Sequence, residues 1–173
     1  MGDQIARVPL SGTWVRQVPA GVDPLRTRPR ATPGRFHRPG EIALYLADRA
    51  ETAWAEWYRA LAERAVEPDE DLPRDLCQIA VSLGEVVDLS TAATRQRAGL
   101  PARMRPAASQ WSVFQHFATD VRAQGAQGIL YASSARARSL CLGVLEAGLP
   151  GLEVVGEPIR VIAAPAPPRG LRT

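Results

Sequence analysis

No lysine and no asparagine occur among the 173 residues, and cysteine, methionine and histidine appear only twice each. Without lysine the chain offers no Schiff base and no phosphate loop ending in Gly-Lys-Ser/Thr. All 21 basic side chains are therefore arginine, and any anion must be held by planar, multidentate guanidinium groups. Cys77 and Cys141 stand in apolar runs with no partner at ligand spacing and read as buried, reduced thiols. His37 and His116 likewise lack a Cys or carboxylate at ligand spacing, so no metal site is expected. Gly-x-Ser-x-Gly and Gly-x-Gly-x-x-Gly are both missing, which sets aside an elbow-type hydrolase and a Rossmann dinucleotide site. No run reaches transmembrane length. The segment MGDQIARVPLSG has no signal-peptide core and, with Ala6, no acylation motif, so a reducing cytoplasm is the expected compartment.

What is present suffices for one core. With 46% apolar residues, a single domain over residues 1–165 is expected, followed by an exposed Pro-rich tail over 166–173. The net charge of +3 is a mild bias. Residues 13–19 alternate as a strand, and 20–40 form a loop rich in proline and glycine that carries five arginines. IALYLA, 42–47, reads as a short strand. Asp48 and Glu51 suggest a capping box, after which Ala50, Ala53, Trp54, Trp57 and Leu61 make one apolar stripe on a helix of about fourteen residues. LCQIAVSL and EVVDLS read as two strands joined through Gly84. A short helical piece and a loop fill 90–108. A second helix over 109–123 has Ser109 as cap, Trp111, Phe114, Phe117, Ala118 and Val121 as stripe, and Gly125 as stop. GILYASSARARS begins as a strand; LCLGVLEAG and IRVIAAP are apolar segments of open type. The irregular interleaving favours α+β, with a mixed, mainly antiparallel sheet and flanking helices.

Taken singly, the polar residues have ordinary explanations. Glu56, on the flank of the first helix, can pair with Arg59 one turn on. Tyr45 suits a core tyrosine with its hydroxyl at the rim. Arg35 suits a solvated loop, and Ser133 and Ser134 a polar turn.

Their order is more specific. W-V-R on a strand, then G-R-F-H-x-P-G, a strand ending L-Y-L-A, a helix with E-T-A-x-x-E, later V-D-L-S, and finally G-I-L-Y-A-S-S-A-R resembles the RES domain family from about residue 13 to about 165. That resemblance implies a fold similar to ADP-ribosyltransferases and a toxin, of a toxin–antitoxin pair, that consumes NAD+ as substrate. It assigns Arg35, Glu56 and Ser133 to the family's arginine, glutamate and serine, with Ser134 also eligible, and places Arg16 and Tyr45 among pocket residues. The loop differs from the family's usual Gly-Gly-Arg-Trp-Asn, reading Pro33, Gly34, Arg35, Phe36, His37 here. The implied partner is an antitoxin with an Xre-like helix-turn-helix. A homodimer is a further partner to expect, and neither membrane nor direct nucleic-acid contact is implied.

Cleavage of the nicotinamide–ribose bond needs negative charge beside a developing oxocarbenium ion, which Glu56 can supply. Arg35 and Arg16 suit the pyrophosphate, Tyr45 the nicotinamide ring, and Ser133 or Ser134 the ribose or amide. Water, phosphate or a protein side chain remain open as acceptor, making the enzyme a glycohydrolase, a phosphorylase or a transferase. Two other readings compete: a basic arm over 26–38 that contacts nucleic acid, and a catalytically inactive interaction domain on the same scaffold.

Overall fold

The computed structural model describes residues 5–26, 28–105 and 108–172. Residues 1–4 of the segment read for targeting signals, Thr27 of the arginine-rich loop, residues 106–107 and Thr173 of the tail lie outside the described residues. The elements run β1 (Arg7–Pro19), β2 (Ala43–Ala47), α1 (Ala50–Arg64), β3 (Arg74–Leu89), α2 (Ala92–Arg97), α3 (Trp111–Ala123), β4 (Gly128–Ala132), β5 (Leu140–Leu145) and β6 (Leu152–Val161). The strands are ordered β1-β2-β5-β4-β3-β6, and β1 also pairs with β3, so the sheet closes into a barrel. All pairings are antiparallel except β3 with β4. This is the mixed, mainly antiparallel α+β architecture that the pattern of elements implies.

Strand alternation sorts the apolar residues into two cores. Trp14, Leu44, Leu46, Ile79, Val81, Leu130, Leu142 and Val144 form one cluster drawn from all five strands of the closed ring. Their neighbours in sequence, Ile129, Tyr131, Cys141 and Leu145, turn the other way and meet Phe114, Phe117 and Val121 of α3. Trp54, Trp57 and Leu61 of α1 make a third cluster with Leu72, Leu76, Val161 and Ala164.

Four local expectations are corrected. Residues 76–83 and 85–90 are not two strands meeting at a turn, because β3 runs unbroken through Gly84. Its register against β1 slips there, Leu10 facing Leu83 and Val8 facing Val86, so Gly84 and Glu85 together oppose Pro9. That is a β-bulge opposite a residue with no N–H to give. The two freed amides are satisfied by the Gln127 side chain, whose Oε1 accepts from Gly84 N at 2.7 Å and Glu85 N at 3.1 Å. The capping box is also absent. Arg49 occupies the cap without a side-chain bond, and the Asp48 carboxylate accepts instead from the Thr52 hydroxyl at 2.6 Å. Ser109 does not cap α3, which starts from Gln110 after one 3-10 turn. The first strand begins at Arg7 rather than residue 13; of the late segments of open type, LCLGVL is β5, and the first three residues of IRVIAAP end β6.

Gly84 needs no left-handed backbone, and an added Cβ there meets nothing closer than 3.8 Å. Gly84→Ala should therefore leave stability unchanged or raise it by up to about 1 kcal/mol in denaturant unfolding. A marked loss would indicate a turn at this position. Gly148→Ala is the contrast, since its Cβ would stand 2.2 Å from the Gln127 carbonyl oxygen, and should cost about 1–3 kcal/mol.

Candidate active site

The barrel is weakly joined between β1 and β2, which pair only at Val15 and Ala47. Residues of β1, β2, α1 and the arginine-rich loop line a cleft of about 480 Å³ beside that pair. Arg16 from β1, Arg35 from the loop, Tyr45 from β2, Glu56 from α1 and Ser134 from the turn after β4 all line it. Ser133 is not on the wall, but is bonded to Glu56 behind it. Arg30, Arg59 and Arg74 add guanidinium groups, and Glu63 a second carboxylate. The cleft is thus rich in fixed cations, with Glu56 among them.

Three donors fix the Glu56 carboxylate. The Ser133 hydroxyl donates to Oε1 at 2.7 Å, Arg59 Nε donates to Oε2 at 3.1 Å, and the Cys141 thiol lies 3.7 Å from Oε1. Arg59 is itself held on its far side by Glu63. Ser133 has little freedom to point elsewhere. Its oxygen accepts from the backbone N–H groups of Ala135 (3.2 Å) and Arg136 (3.0 Å), which occupy both lone pairs and leave the hydrogen for Glu56. Burial among these acids pushes the Cys141 thiol well up, which keeps it protonated as a donor. Ser134, by contrast, has no hydrogen-bond partner among the described residues and faces the cleft.

The turn carrying Arg35 is built from both sides. Gly34 and His37 bridge to each other, the Gln115 amide donates to both of their carbonyls (2.8 and 3.2 Å), and Arg122 donates to those of Phe36 and Ile42. Phe36 is fully buried, edge-on to Phe114 and Tyr131 with centroids 5.8 and 4.9 Å away. The Tyr45 hydroxyl accepts from Phe36 N at 3.1 Å and meets His37 Nδ1 at 2.8 Å. His37 Nε2 faces the Thr32 carbonyl at 3.0 Å and so carries the proton, which makes Nδ1 the acceptor and Tyr45 the donor. Desolvation lowers the His37 pKa and raises that of Tyr45 to about 12, so both are neutral at pH 7 and the relay has one polarity. Gly34 is required here: a Cβ would stand 2.2 Å from His37 Cε1.

Arg35 is buried, 7% exposed, with its guanidinium 5.3 Å from the centre of the Phe114 ring. Nη2 donates to the Arg105 carbonyl at 2.8 Å, while Nη1 is buried with no partner among the described residues. Desolvation lowers its pKa. Arg16 donates to the Pro24 carbonyl; burial first, and Arg30 second, bring its pKa down to about 10, which leaves it charged at neutral pH. Arg30 lies over the Tyr45 ring, 5.9 Å from its centroid.

Every site residue read from the sequence therefore falls in or directly behind one cleft. Three contributors were not read there. From the sequence, His37 reads as a rejected metal ligand, as part of the loop motif and as a ring in the alternative arm, Arg59 as a surface partner of Glu56, and Cys141 as a buried thiol. The i, i+3, i+7 spacing of Glu56, Arg59 and Glu63 was a usable signal for the second of these. The segment 26–38, read alternatively as a nucleic-acid arm, has both its ring residues, Phe36 and His37, buried and unavailable for stacking on bases. Both cysteines are free and buried. Among the described residues no His/Cys/Asp/Glu group is arranged to hold a metal ion, and no helix is long and apolar enough to cross a membrane.

Comparison with known proteins places this geometry in context. The family model described as RES domain matches residues 9–164. A probable NAD(+) phosphorylase of Mycobacterium tuberculosis is 34% identical over 110 residues, covering 58% of this chain and 50% of the relative. The chain thus matches about half the length of that curated relative. In the crystal structure of the M. tuberculosis MbcT–MbcA toxin–antitoxin complex, one chain superposes with a TM-score of 0.76 at 25% identity, over 90% of this chain and 86% of that one.

The His37 relay sets a pH dependence. The folded ring binds its proton less readily than the ordinary value of 6.5, so below that pH the unfolded chain takes up the proton first. Stability should therefore fall as pH drops from about 6.5, until the folded ring also protonates. Denaturant unfolding between about pH 7.5 and 5.5 should show this slope, and His37→Gln should flatten it whatever its effect on absolute stability. An unchanged slope in the variant would exclude the relay as its source.

Proposed function

The chain belongs to the RES domain family, and from that premise we propose that it consumes NAD+ by breaking the nicotinamide–ribose bond, with inorganic phosphate as acceptor. The observation that carries this reading is the Glu56 carboxylate, held by Ser133 and Arg59 on the wall of a cleft otherwise dominated by guanidinium groups. As the C–N bond lengthens, positive charge builds on the ribose. A carboxylate already oriented by fixed donors stabilises that charge with little reorganisation at the moment of reaction. The bond to nicotinamide breaks, its electron pair leaves with the ring nitrogen, and a phosphate oxygen forms the new bond to the ribose carbon.

The other residues take roles that follow from their chemistry. Arg35 and Arg16 bind phosphate oxygens, and both remain cationic despite burial because arginine starts from so high a pKa. The Tyr45 ring, which already carries the planar Arg30 cation, suits a pyridinium ring by the same cation–π attraction. Ser133 acts through Glu56 as a positioning residue, and Ser134 contacts the substrate. Phosphate is favoured over water because the relative is named as an NAD(+) phosphorylase, and because cations beyond those needed for one pyrophosphate line the cleft. The closed, mainly antiparallel sheet supports extending the likeness to ADP-ribosyltransferases. The toxin–antitoxin complex supports a toxin held in check by an antitoxin, for which an Xre-like helix-turn-helix protein is the proposed kind. Two free cysteines suit the reducing cytoplasm.

Purified protein should release nicotinamide from NAD+ when phosphate is present and yield ADP-ribose bearing a new phosphate. Free ADP-ribose formed equally well without phosphate would make it a glycohydrolase, and undiminished NAD+ under both conditions would contradict the reading. Ser133→Ala should lower kcat by about 10-fold or more with little change in KM, whereas Ser134→Ala should act mainly on KM.

A further inference from the structure

The segment after β6 is stitched to the molecule at two places, and these are the two elements that the Ser133–Glu56 bond joins. On α1, two residues past Glu56, the Tyr58 hydroxyl donates to the Pro165 carbonyl, and Ala164 packs with Trp54, Trp57 and Leu61. On the turn after β4, the Arg172 N–H donates to the Ala135 carbonyl at 2.7 Å, Leu171 bridges to Arg136, and Arg136 Nε reaches the Arg169 carbonyl at 3.4 Å. Ala135 and Arg136 are the residues whose N–H groups fill the lone pairs of Ser133. The chain from 164 to 172 thus spans from the helix that carries the carboxylate to the turn that aims the serine. Residues 165–172 lie outside the 9–164 match to the family model.

We infer that residues 164–172 form a staple that keeps Ser133 aimed at Glu56, with Tyr58 and Arg136 as positioning residues. A turn of seven residues between β4 and β5 has few internal ties of its own. Ser133 N donates to the Ser139 carbonyl at 2.8 Å, and Arg136 Nη1 donates to the Ser139 hydroxyl at 2.8 Å. The Arg172 bond adds an anchor from outside the turn, on the peptide whose amide faces Ser133. Loss of that anchor lets the 135–136 backbone rotate, which opens the Ser133 acceptors and frees its hydrogen to point away from the carboxylate. The kinetic consequence rests on the NAD+ reading above; the structural one does not.

Two full-length variants test it. Arg172→Pro deletes one N–H while keeping the extended backbone that the Leu171 bridge already favours, and Tyr58→Phe deletes one hydroxyl. Amide hydrogen exchange at Ala135 and Arg136 should quicken about five-fold in either variant, with β5 amides unchanged, the factor expected for one net hydrogen bond. In the same variants kcat for NAD+ should drop by about five-fold with KM little changed. Unaltered exchange at both amides would overturn the staple, as would quickened exchange with an unaltered kcat. A wild-type protein that leaves NAD+ intact would refute the functional reading alone, and the exchange result would still decide the staple. Should Arg172→Pro lose its fold, seen as exchange throughout β5, Tyr58→Phe carries both readouts.

Discussion

Glu56 is useful only if it stays where α1 alone would not keep it. A glutamate on the flank of a surface helix samples several rotamers in water, and its charge is then spent on solvent. The bond from Ser133 removes that freedom, because the serine oxygen has already accepted two backbone N–H groups and can only donate. Arg59 takes the second carboxylate oxygen, and Glu63 holds Arg59. The result is a charge with fixed position and satisfied geometry, half-buried at the wall of a cleft. Electrostatic preorganisation of this kind is worth most where water is excluded. The barrel covers one side of the carboxylate, where Cys141 of β5 lies 3.7 Å from Oε1, and leaves the other side to the cleft.

The same economy explains the arginines. Burying a cation penalises its charged form, and a lysine in the place of Arg35, over an aromatic ring and with one bond to a carbonyl, would be prone to lose its proton. Arginine withstands the same burial because its pKa begins so far above neutrality. A chain without lysine can therefore place its anion-binding groups in dry positions. The turn 34–37 shows the cost of doing so, since Gln115, Arg122, Tyr45 and His37 are all committed to holding it.

Much of this was legible in the residues because it rests on local periodicity. The stripes on α1 and α3 give their buried faces, and the short apolar run at 43–47 gives β2. The set Arg16, Arg35, Tyr45, Glu56 and Ser133/Ser134 is legible only through the resemblance to the RES domain family, since each residue taken singly has an ordinary explanation. What escaped depends on contacts between distant segments. Gly84 reads as a turn until Pro9 is seen opposite it; a lone glycine within a strand pattern can also mark a bulge, and here it does. Asp48 reads as a cap until Thr52 claims it. His37 has no ligand spacing because its partners, Thr32 and Tyr45, matter through tautomer and not through metal. The Pro-rich segment is largely exposed, and the pairing of Leu171 and Arg172 with the turn after Ser133 has no mark in its composition.

The most direct measurement is the single-turnover rate of nicotinamide release by Glu56→Gln, with NAD+ affinity measured alongside. Glutamine keeps the size and its one oxygen still accepts the Ser133 hydrogen, so the change removes the charge together with the acceptor that faces Arg59. The account predicts a fall of about 10²–10³-fold or more in the chemical step with NAD+ binding retained. A variant that releases nicotinamide at nearly the wild-type rate would contradict it.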